Sequence, residues 1–477
     1  MKKEKLKKNL FYNISYEILV IFLPLVLSPY VSRVLGADAL GIYSYTYTIA
    51  NYFVMFSMLG IRNYGNRLVA QIRNDQNKLN VMFSSLFTVH AIISIIFCIL
   101  YFGYTFIFGG EYIEYFIIQG LYVLSAILDI SWFYFGIEKF KITVLRSVFV
   151  KILNLILIFV FVRTRNDLNK YCFIMTGCIL ASQIMLWFPL GNFVKIQKPG
   201  YQAMKSHLKP MFILFFPTIA VSLYKYMDKI MIGSLSNKAQ LGFYQNAEQL
   251  VNIPNVIINA IGTVMLPKMS NLIAEGKKQQ TEKYFTRSMR YFMCMAFALS
   301  FGLAAVADNF APLFWGKEFS SCSQLIMGLA MTVPFVTFAN IIRTQYLIPN
   351  SKDKEYLISV IVGAVINIIL NSMLIRTWGA KGAVLGTISA EISVCLVQAF
   401  LSKRDIDFRL YIKQTMSFCV IGIVMFICSH SIGDMLPYNA FIVLAIQVLA
   451  GVIIYSIGSG IVLYKMKDDF FSIMIKR

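Results

Sequence analysis

"LNVMFSSLFTVHAIISIIFCILYFGYTFIFGG", residues 79–110, contains no Lys, Arg, Asp or Glu. A helix that crosses the hydrocarbon core of a bilayer needs about 20 consecutive apolar residues, and this stretch is longer than that. Other charge-free stretches of similar length occur at 39–61, 171–194, 319–342, 356–375, 414–433 and 435–464. Each of these stretches predicts a transmembrane helix.

The composition of the whole chain agrees with a membrane protein that crosses the bilayer many times. Of the 477 residues, 58% are hydrophobic and 14% are charged, whereas soluble proteins carry about 25% charged residues. With the weaker apolar segments included, about fourteen spans are predicted: 11–32, 39–60, 80–102, 114–135, 143–162, 171–191, 210–232, 245–267, 288–307, 322–343, 356–375, 382–400, 413–432 and 439–464. The predicted fold is an all-α polytopic membrane protein.

The net charge of +21 is explained by membrane topology and needs no nucleic-acid partner. Lys and Arg concentrate in the cytoplasmic loops of membrane proteins. Basic residues cluster in the opening "MKKEKLKKN" and in the loops 268–290 and 401–413, which an even number of spans places on one side. We therefore expect both termini in the cytoplasm. Most of the eight cysteines lie within apolar spans, which argues against a disulfide framework, and no metal site is expected.

The chain contains a weak internal repeat. Three pairs of segments match in the same order: "LGIY" (40–43) with "LGFY" (241–244), "FGGEY" (108–112) with "WGKEF" (315–319), and "ILNLILIFVFVRT" (152–164) with "VINIILNSMLIRT" (365–377). The repeat unit is six helices, and an even number gives both copies the same orientation in the membrane.

The repeat predicts the domain organisation. An N-lobe with spans 1–6 occupies residues 1–191, a cytoplasmic connector occupies 192–209, and a C-lobe with spans 7–12 occupies 210–400. Residues 401–477 hold spans 13 and 14, which have no counterpart in the first half, and a cytoplasmic tail.

Polar side chains recur at helical spacing within several predicted spans. In the seventh span Ser222, Lys225, Asp228 and Lys229 share one helical face. Further stripes occur in the eighth, eleventh and second spans, namely Glu248, Asn252, Asn255 and Asn259, then Ser359, Gly363, Asn367 and Asn371, then Ser44, Thr48 and Asn51. A charge at the bilayer centre costs about 2.5–3.5 kcal/mol on insertion scales, so these faces are expected to avoid lipid.

Two readings of these stripes remain open. Asn, Ser and Thr side chains often join helices to each other, and Asp228 can neutralise Lys225 or Lys229. The number of stripes in both halves favours instead a water-filled lumen between two six-helix bundles. Its excess of basic and amide groups suits an anionic solute with many hydroxyl groups. Asn51, Asn252, Asn255 and Asn367 are the amide candidates for substrate binding.

Four segments resemble one family of transporters. They are "LSPYVSRVLGADALGIYSYT" (27–46), "LGIRNYGNRLVAQIR" (59–73), "LDISWFYFGIEKFK" (128–141) and "TQYLIPNSKDKEY" (344–356). They resemble the polysaccharide-transport (Wzx-type) flippases of the multidrug/oligosaccharidyl-lipid/polysaccharide exporter superfamily. The resemblance extends over essentially the whole chain.

The resemblance implies a function and a set of roles. A flippase of this kind moves undecaprenyl-pyrophosphate-linked oligosaccharide repeat units from the inner to the outer leaflet of the bacterial cytoplasmic membrane, by alternating access, for capsule, O-antigen or exopolysaccharide synthesis. Polymerases and glycosyltransferases would be its partners, and it needs no cofactor beyond a coupling H+ or Na+. Basic residues implied to contact substrate are Arg33, Lys225, Lys229 and Arg343. Carboxylates implied as coupling candidates are Glu17, Asp129, Asp228, Glu248 and Glu391.

Two other functions are compatible with a polytopic membrane protein. A drug or metabolite antiporter of the same superfamily would favour an acidic lumen for its cationic substrates, whereas basic groups predominate near Lys225. A membrane-embedded glycan polymerase or ligase would need an active site in a long outer loop. The predicted outer loops are short, so a transporter is expected and an enzyme is not.

Overall fold

The protein is helical throughout the part that the structure describes. The computed structural model describes the backbone of residues 2–466 and the side chains of residues 23–466, apart from those at 216–218, 220, 221, 223 and 224. Within these residues there is no β-strand, and twelve helical segments are long and apolar enough to cross a membrane. The predicted all-α polytopic membrane fold is confirmed.

The chain forms two compact units, Met1–Ser222 and Leu223–Arg477. The first unit contains α1 (Lys2–Met58), α2 (Ile61–Ile72), α3 (Gln76–Phe108), α4 (Ile113–Ile127), α5 (Ser131–Gly136), α6 (Phe140–Phe161), α7 (Leu168–Met185) and most of α8 (Tyr201–Leu235). The second contains the end of α8, α9 (Lys238–Ala274), α10 (Lys278–Trp315), α11 (Cys322–Ala330), α12 (Thr332–Ile342), α13 (Asp353–Trp378), α14 (Ala380–Ser402), α15 (Phe408–Met435) and α16 (Ala440–Lys465).

Helix α1 contains the first two predicted spans, and a break in its backbone at a single residue separates them. Gly36 has φ 81° and ψ 175°, a backbone conformation that only glycine adopts without strain. The chain therefore turns at Gly36 between the spans predicted at 11–32 and 39–60. The seventh predicted span lies within α8. The fourth, 114–135, crosses the break between α4 and α5, and the sixth, 171–191, extends past the end of α7 at Met185.

The ends of several helices are fixed by side-chain caps. Asp75 accepts a hydrogen bond from the backbone N–H of Lys78 at 3.1 Å and begins α3. Asn237 accepts one from Gln240 at 2.9 Å and begins α9. Each cap satisfies a backbone donor that the first turn leaves without a partner.

The segment between α7 and α8 is fixed to the first turns of α3. Gln76 Nε2 donates to the carbonyl of Phe193 at 2.7 Å, and Asn80 Oδ1 accepts from the N–H of Lys195 at 3.0 Å. Ser84 Oγ accepts from the N–H of Gln197 at 2.9 Å. The first half of the connector predicted at 192–209 is therefore held against the first unit.

Two polar side chains of α16 attach it to α10, and one of them also bonds α15. Gln447 of α16 accepts from Asn309 Nδ2 at 3.1 Å and donates to the carbonyl of Ser429 at 3.0 Å. Tyr455 donates to the carbonyl of Cys294 at 2.7 Å. The outward faces of α15 and α16 are apolar and exposed, which suits contact with lipid.

Candidate functional site

A buried carboxylate on α8 is the centre of a polar cluster in the second unit. Asp228 is 5% exposed. Its Oδ2 accepts hydrogen bonds from the Tyr244 hydroxyl at 2.8 Å and the Thr387 hydroxyl at 2.7 Å. Its Oδ1 accepts from Asn371 Nδ2 at 2.6 Å. Neutral donors from α9, α13 and α14 thus surround the carboxylate.

The helical period of α13 supplies the amides of this cluster. Asn367 and Asn371 are four residues apart, so they lie on the same face, and Asn371 Nδ2 also donates to Asn367 Oδ1 at 3.1 Å. On α14, Gly386 leaves the space that Asn371 occupies, because a Cβ there would lie 2.0 Å from Asn371 Oδ1. The close approach of α13 to α14 therefore depends on a glycine.

The oxygen atoms of the cluster match the ligand chemistry of a hard cation. The cluster provides carboxylate, amide and hydroxyl oxygens from Asp228, Asn367, Asn371 and Thr387, and the backbone carbonyl oxygen of Ala383 lies 2.9 Å from Thr387 Oγ1. Among the described residues Asn371 Oδ1 is buried without a hydrogen-bond donor. Oxygen donors of these types suit monovalent and divalent hard cations, so the residues fit a small cation or a proton.

The two lysines beside Asp228 have different surroundings. Lys229 pairs with Glu248 of α9 at 2.8 Å, and their side chains are 12% and 23% exposed. Lys225 is exposed. The sequence left open a pairing of Asp228 with Lys225 or Lys229. In the structure Lys229 pairs with Glu248, and the carboxylate of Asp228 accepts hydrogen bonds from neutral side chains.

A second polar cluster in the same unit surrounds a π-helical turn, Arg343–Leu347, at the end of α12. Asn259 Oδ1 of α9 accepts from Asn340 Nδ2 at 2.6 Å and from Arg343 Nη2 at 3.4 Å. Within the described part of the chain, Asn255 Oδ1 and both side-chain polar atoms of Gln345 are buried without hydrogen-bond partners. Such turns are frequent at functional sites, and the uncompensated amides mark this one as a candidate for solute contact.

The first unit holds an ion pair and a row of tyrosines. Arg62 Nη2 of α2 lies 3.2 Å from Asp129 Oδ2, and the side chains are 64% and 3% exposed. Asn51 Oδ1 of α1 accepts from the Tyr122 hydroxyl at 2.9 Å. The ring of Tyr122 stacks on that of Tyr47 at 5.1 Å between centroids.

The remaining predicted residues are dispersed. Arg33 on α1 and Asn252 on α9 are exposed, and Glu391 on α14 is half-buried. Glu17 lies outside the described side chains. Asn367 is 1% exposed, whereas the sequence predicted a position lined by water. The polar stripe of α13 to which it belongs packs against α14 instead. In the same stripe Ser359 Oγ accepts a hydrogen bond from Gln398 Nε2 of α14 at 3.1 Å.

Several residues of these clusters are absent from the sequence-based candidates. Asn371 continues the period of four from Asn367, so the pattern alone contains it. Tyr244 and Thr387 carry no comparable pattern, because a tyrosine or threonine in an apolar span is usually a packing residue. Arg62 follows the second span and has the pattern of a boundary residue, and only the contact with Asp129 distinguishes it.

Several known proteins are similar to this chain in sequence or in fold. The chain is 22% identical over 405 residues to a putative O-antigen transporter of Shigella dysenteriae, a match that covers 83% of this chain and 98% of that protein. Its fold is similar to that of the lipid II flippase MurJ in an inward closed conformation, with a TM-score of 0.78, 17% identity, and coverage of 96% and 99% of the two chains. An inward-facing multidrug resistance transporter of the MATE family, in the MOP superfamily, has a TM-score of 0.63 at 14% identity, with 83% and 97% covered.

The family model that matches the sequence spans more than half of the chain. It covers residues 6–273 and describes polysaccharide biosynthesis proteins. The match includes three of the four segments that carried the resemblance, at 27–46, 59–73 and 128–141. The protein belongs to the family of polysaccharide biosynthesis proteins.

Proposed function

We propose that this protein is a flippase for a lipid-linked oligosaccharide, and that it works by alternating access without chemical change of its substrate. The lipid is proposed to be undecaprenyl pyrophosphate, and the movement runs from the inner to the outer leaflet of the bacterial cytoplasmic membrane, with both termini in the cytoplasm. The observation that carries the proposal is that a member of a polysaccharide biosynthesis family has an ion pair just beyond the ends of the apolar helices α1 and α4 in its first unit, and a carboxylate–amide cluster within apolar helices of its second unit.

The physical difficulty of the task explains the need for such clusters. An unpaired hydroxyl group costs about 2–7 kcal/mol when it moves from water to hydrocarbon, so an oligosaccharide crosses only along a hydrogen-bonding path. Its prenyl chain has no such requirement and stays in lipid. The amides and cations of the protein supply hydrogen bonds for the glycan head, while the apolar exteriors of the helices contact the tail.

We assign substrate contact to the exposed members of the predicted set. Lys225 and Asn252 are exposed, so both reach a solute without moving another side chain. Arg33 is also exposed, and Arg343 with Asn255 extends the set through the polar cluster at the π-helical turn. Ammonium and guanidinium groups bind phosphate oxygens with charge-assisted hydrogen bonds.

We assign ion coupling to the Asp228 cluster. A carboxylate taken out of water is costly unless a counter-ion or proton accompanies it, and the hydrogen bonds of Asp228 come from neutral groups. Uptake and release of H+ or Na+ at this carboxylate would change the charge inside the second unit. A charge that moves through the membrane potential gains about 2.3 kcal/mol per 100 mV, so ion movement at Asp228 would couple that potential to the transport cycle.

The experiment that tests the function uses intact cells of a strain that lacks the gene. A membrane-impermeant lectin or antibody against the repeat unit labels only the outer leaflet. We expect outer-leaflet labelling to fall while lipid-linked units accumulate inside, and expression of the protein to restore it. Unchanged labelling in the deletion strain, with no second flippase gene active, would contradict the proposal. Association with a glycan polymerase or glycosyltransferase belongs to the same proposal and is tested by co-purification.

A further inference from the structure

His207 of α8 is a buried histidine that lies outside the polar clusters of the candidate site. It is 7% exposed, and both nitrogens of its ring have partners on other helices of the first unit. Nδ1 lies 2.9 Å from the hydroxyl of Tyr64 on α2, and Nε2 lies 3.0 Å from Ser85 Oγ on α3. His207 therefore joins the first turns of α8 to two other helices.

The partners of the imidazole determine which of its nitrogens carries the hydrogen. Ser85 donates its hydroxyl hydrogen to the carbonyl of Met82 at 3.0 Å, so its oxygen accepts from the N–H at Nε2 of His207. In a neutral imidazole with Nε2 protonated, Nδ1 is an acceptor. It accepts the hydroxyl hydrogen of Tyr64, which is itself 8% exposed. Both hydrogen bonds of His207 are therefore those of the neutral ring.

The contact of His207 with Tyr64 is the last of a series that runs along α8. Four residues at a spacing of four, from the second half of α1 to α2, contact α8 in antiparallel order. The pairs are Tyr52 with Ser222, Phe56 with Phe215, Gly60 with Met211 and Tyr64 with His207. The approach is closest at Gly60, where a Cβ would lie 2.8 Å from the carbonyl oxygen of Met211. The series fastens α8 as far as Ser222, where the chain passes into the second unit.

The surroundings of His207 disfavour a second proton on its ring. A proton on Nδ1 would end the hydrogen bond from Tyr64 and place a positive charge among buried neutral groups. The charged residues of the three helices near this contact are all cations: Arg62 and Arg67 on α2, Lys78 on α3, and Lys205 and Lys209 on α8. The carboxylate that caps α3, Asp75, pairs with Lys78 at 3.2 Å. Burial lowers the pKa of His207 below its ordinary value of 6.5.

We propose that His207 is a pH-sensitive latch, whose neutral imidazole fastens the first turns of α8 to α2 and α3 and whose protonation releases them. In the released state the imidazole meets water and binds a proton at about pH 6.5, whereas the fastened state resists that proton. The fastening is therefore complete above this pH and weakens as the pH falls. Each pH unit below about 6.5 favours release by up to about tenfold.

Release of the first turns affects export because of the residue to which α8 leads. The helix continues from His207 to Asp228, the carboxylate to which ion coupling is assigned, about 32 Å further along the axis. With the latch released, α8 loses an attachment to the first unit at the end distant from Asp228. We therefore expect an acid cytoplasm to slow export. This consequence rests on the proposed function, whereas the latch rests on contacts within the first unit.

The first test measures hydrogen–deuterium exchange at the amides of residues 201–212 in purified full-length protein, between about pH 7.5 and 5.5. Rates are corrected for the intrinsic pH dependence of exchange. We expect protection in the wild type to fall by about threefold to tenfold towards the acid end. His207→Gln keeps a side-chain N–H for Ser85 but does not titrate, so its protection should not fall. An equal fall in the wild type and His207→Gln, or a fall in neither, would overturn the latch.

Two further variants separate the latch from a merely structural histidine. His430→Gln removes a histidine of the second unit and is the matched control, which should fall like the wild type. Tyr64→Phe removes the hydroxyl that donates to Nδ1 and keeps the ring. It should lower protection already at neutral pH and reduce the further fall, because protonation of His207 then ends no hydrogen bond from this residue. A fall as large as that of the wild type would overturn the latch. If His207→Gln does not fold, as judged by size-exclusion chromatography, His207→Asn replaces it.

The last experiment connects the latch to export and distinguishes its failure from that of the proposed function. A permeant weak acid lowers the internal pH of intact cells to about 6, and outer-leaflet labelling of the glycan is measured. We expect labelling to fall by at least about twofold in the wild type and to persist in His207→Gln. Equal losses in both strains would overturn regulation by His207. Labelling that does not depend on the gene even at neutral pH would contradict the proposed function instead, and the exchange measurements would still decide the latch.

Discussion

The ammonium of Lys229 lies 2.8 Å from the carboxylate of Glu248, while the neighbouring Asp228 accepts its hydrogen bonds from a tyrosine, a threonine and an asparagine. The charge of Lys229 is therefore balanced by Glu248 within the second unit. The charge of the adjacent Asp228 is met by neutral hydrogen-bond donors.

The two lysines of α8 should respond differently to truncation. Lys229→Ala leaves Glu248 without its partner in a mostly buried position, which should lower the free energy of unfolding by roughly 1–3 kcal/mol. Lys225→Ala removes an exposed side chain and should impair glycan export without lowering the amount of folded protein. Measuring export by outer-leaflet labelling, together with the amount of folded protein, distinguishes the two variants. Normal export by folded Lys225→Ala would show that this lysine does not contact the substrate.

Asp228→Asn tests the coupling site through stability. A cation that binds only the folded state raises stability by about 2.7 kcal/mol at 100 times its dissociation constant, so Na+ should raise the melting temperature of the wild type over that in an organic-cation buffer. Asp228→Asn should abolish that increase. Glu391→Gln, at another coupling candidate one helical turn from Thr387 on α14, should retain it, because the coupling is assigned to Asp228. If the wild type shows no dependence on Na+ and none on pH that Asp228→Asn removes, the cluster is a structural hydrogen-bond network.

The packing of α13 against α14 is tested by a single methyl group. A Cβ at Gly386 would lie 2.0 Å from Asn371 Oδ1, so Gly386→Ala must displace the amide and should destabilise the protein by about 1–3 kcal/mol. Gly103→Ala is the matched control, because nothing lies within 4 Å of a Cβ there; in helix α3 it should be neutral or slightly stabilising. Equal melting temperatures for both variants would contradict the described packing.

An ion pair between two residues outside the membrane-spanning segments predicts a pH dependence. Lys352 Nζ lies 2.8 Å from Asp405 Oδ2, and Tyr346 also donates to that oxygen. Hydrogen bonds from Lys352 and Tyr346 hold the pKa of Asp405 below its usual 3.8, and Asp405 with Tyr346 raises the pKa of Lys352 above 10.5.

The direction of each pKa shift fixes the pH range of its effect. The contribution of Asp405 is present above its usual pKa and is lost as the pH falls through the lowered value. That of Lys352 is present below its usual pKa and is lost as the pH rises through the raised value. The melting-temperature difference between wild type and Asp405→Asn should therefore be small, because both groups are partly exposed. This difference should be constant near neutral pH and should shrink below about pH 4. A difference that grows towards acid pH would contradict this contact.

The sequence predicted the membrane fold well because the physical constraint behind it is local. A bilayer demands about 20 apolar residues for each helix, so every span is readable from the chain itself. The break of α1 at Gly36 falls in the gap between the spans predicted at 11–32 and 39–60, although glycine is common in membrane helices and no pattern identifies this residue as the break. The division of the chain into the lobes 1–191 and 210–400 stays a prediction.

The candidate sites were predictable only in part because they depend on contacts between helices. The stripe on α13 indicated that the face with Asn367 and Asn371 avoids lipid, and the sequence predicted water rather than another helix beside Asn367. Whether that face meets water or another helix is decided by α14, through Gly386 and Thr387. The contact between Arg62 and Asp129 joins residues that lie 67 positions apart in the chain, and no sequence pattern predicts it.

Cysteine accessibility tests the central claim that polar groups within these helices line a hydrated path. Cys428, an exposed native cysteine, is first replaced by serine. Cysteines are then introduced singly at Lys225 and Asn252, both exposed, and at Asn367, which is buried. Ile99, a 67% exposed residue of an apolar helix surface, serves as the lipid-facing control.

A charged, membrane-impermeant thiol reagent modifies only thiols in contact with water, because the reactive thiolate does not form in hydrocarbon. The measurement is the extent of modification at each position in folded protein within proteoliposomes. We predict rapid modification of Lys225→Cys and Asn252→Cys and protection of Asn367→Cys and Ile99→Cys. Protection of the first two positions, at the level of Ile99→Cys, would contradict a hydrated transport path.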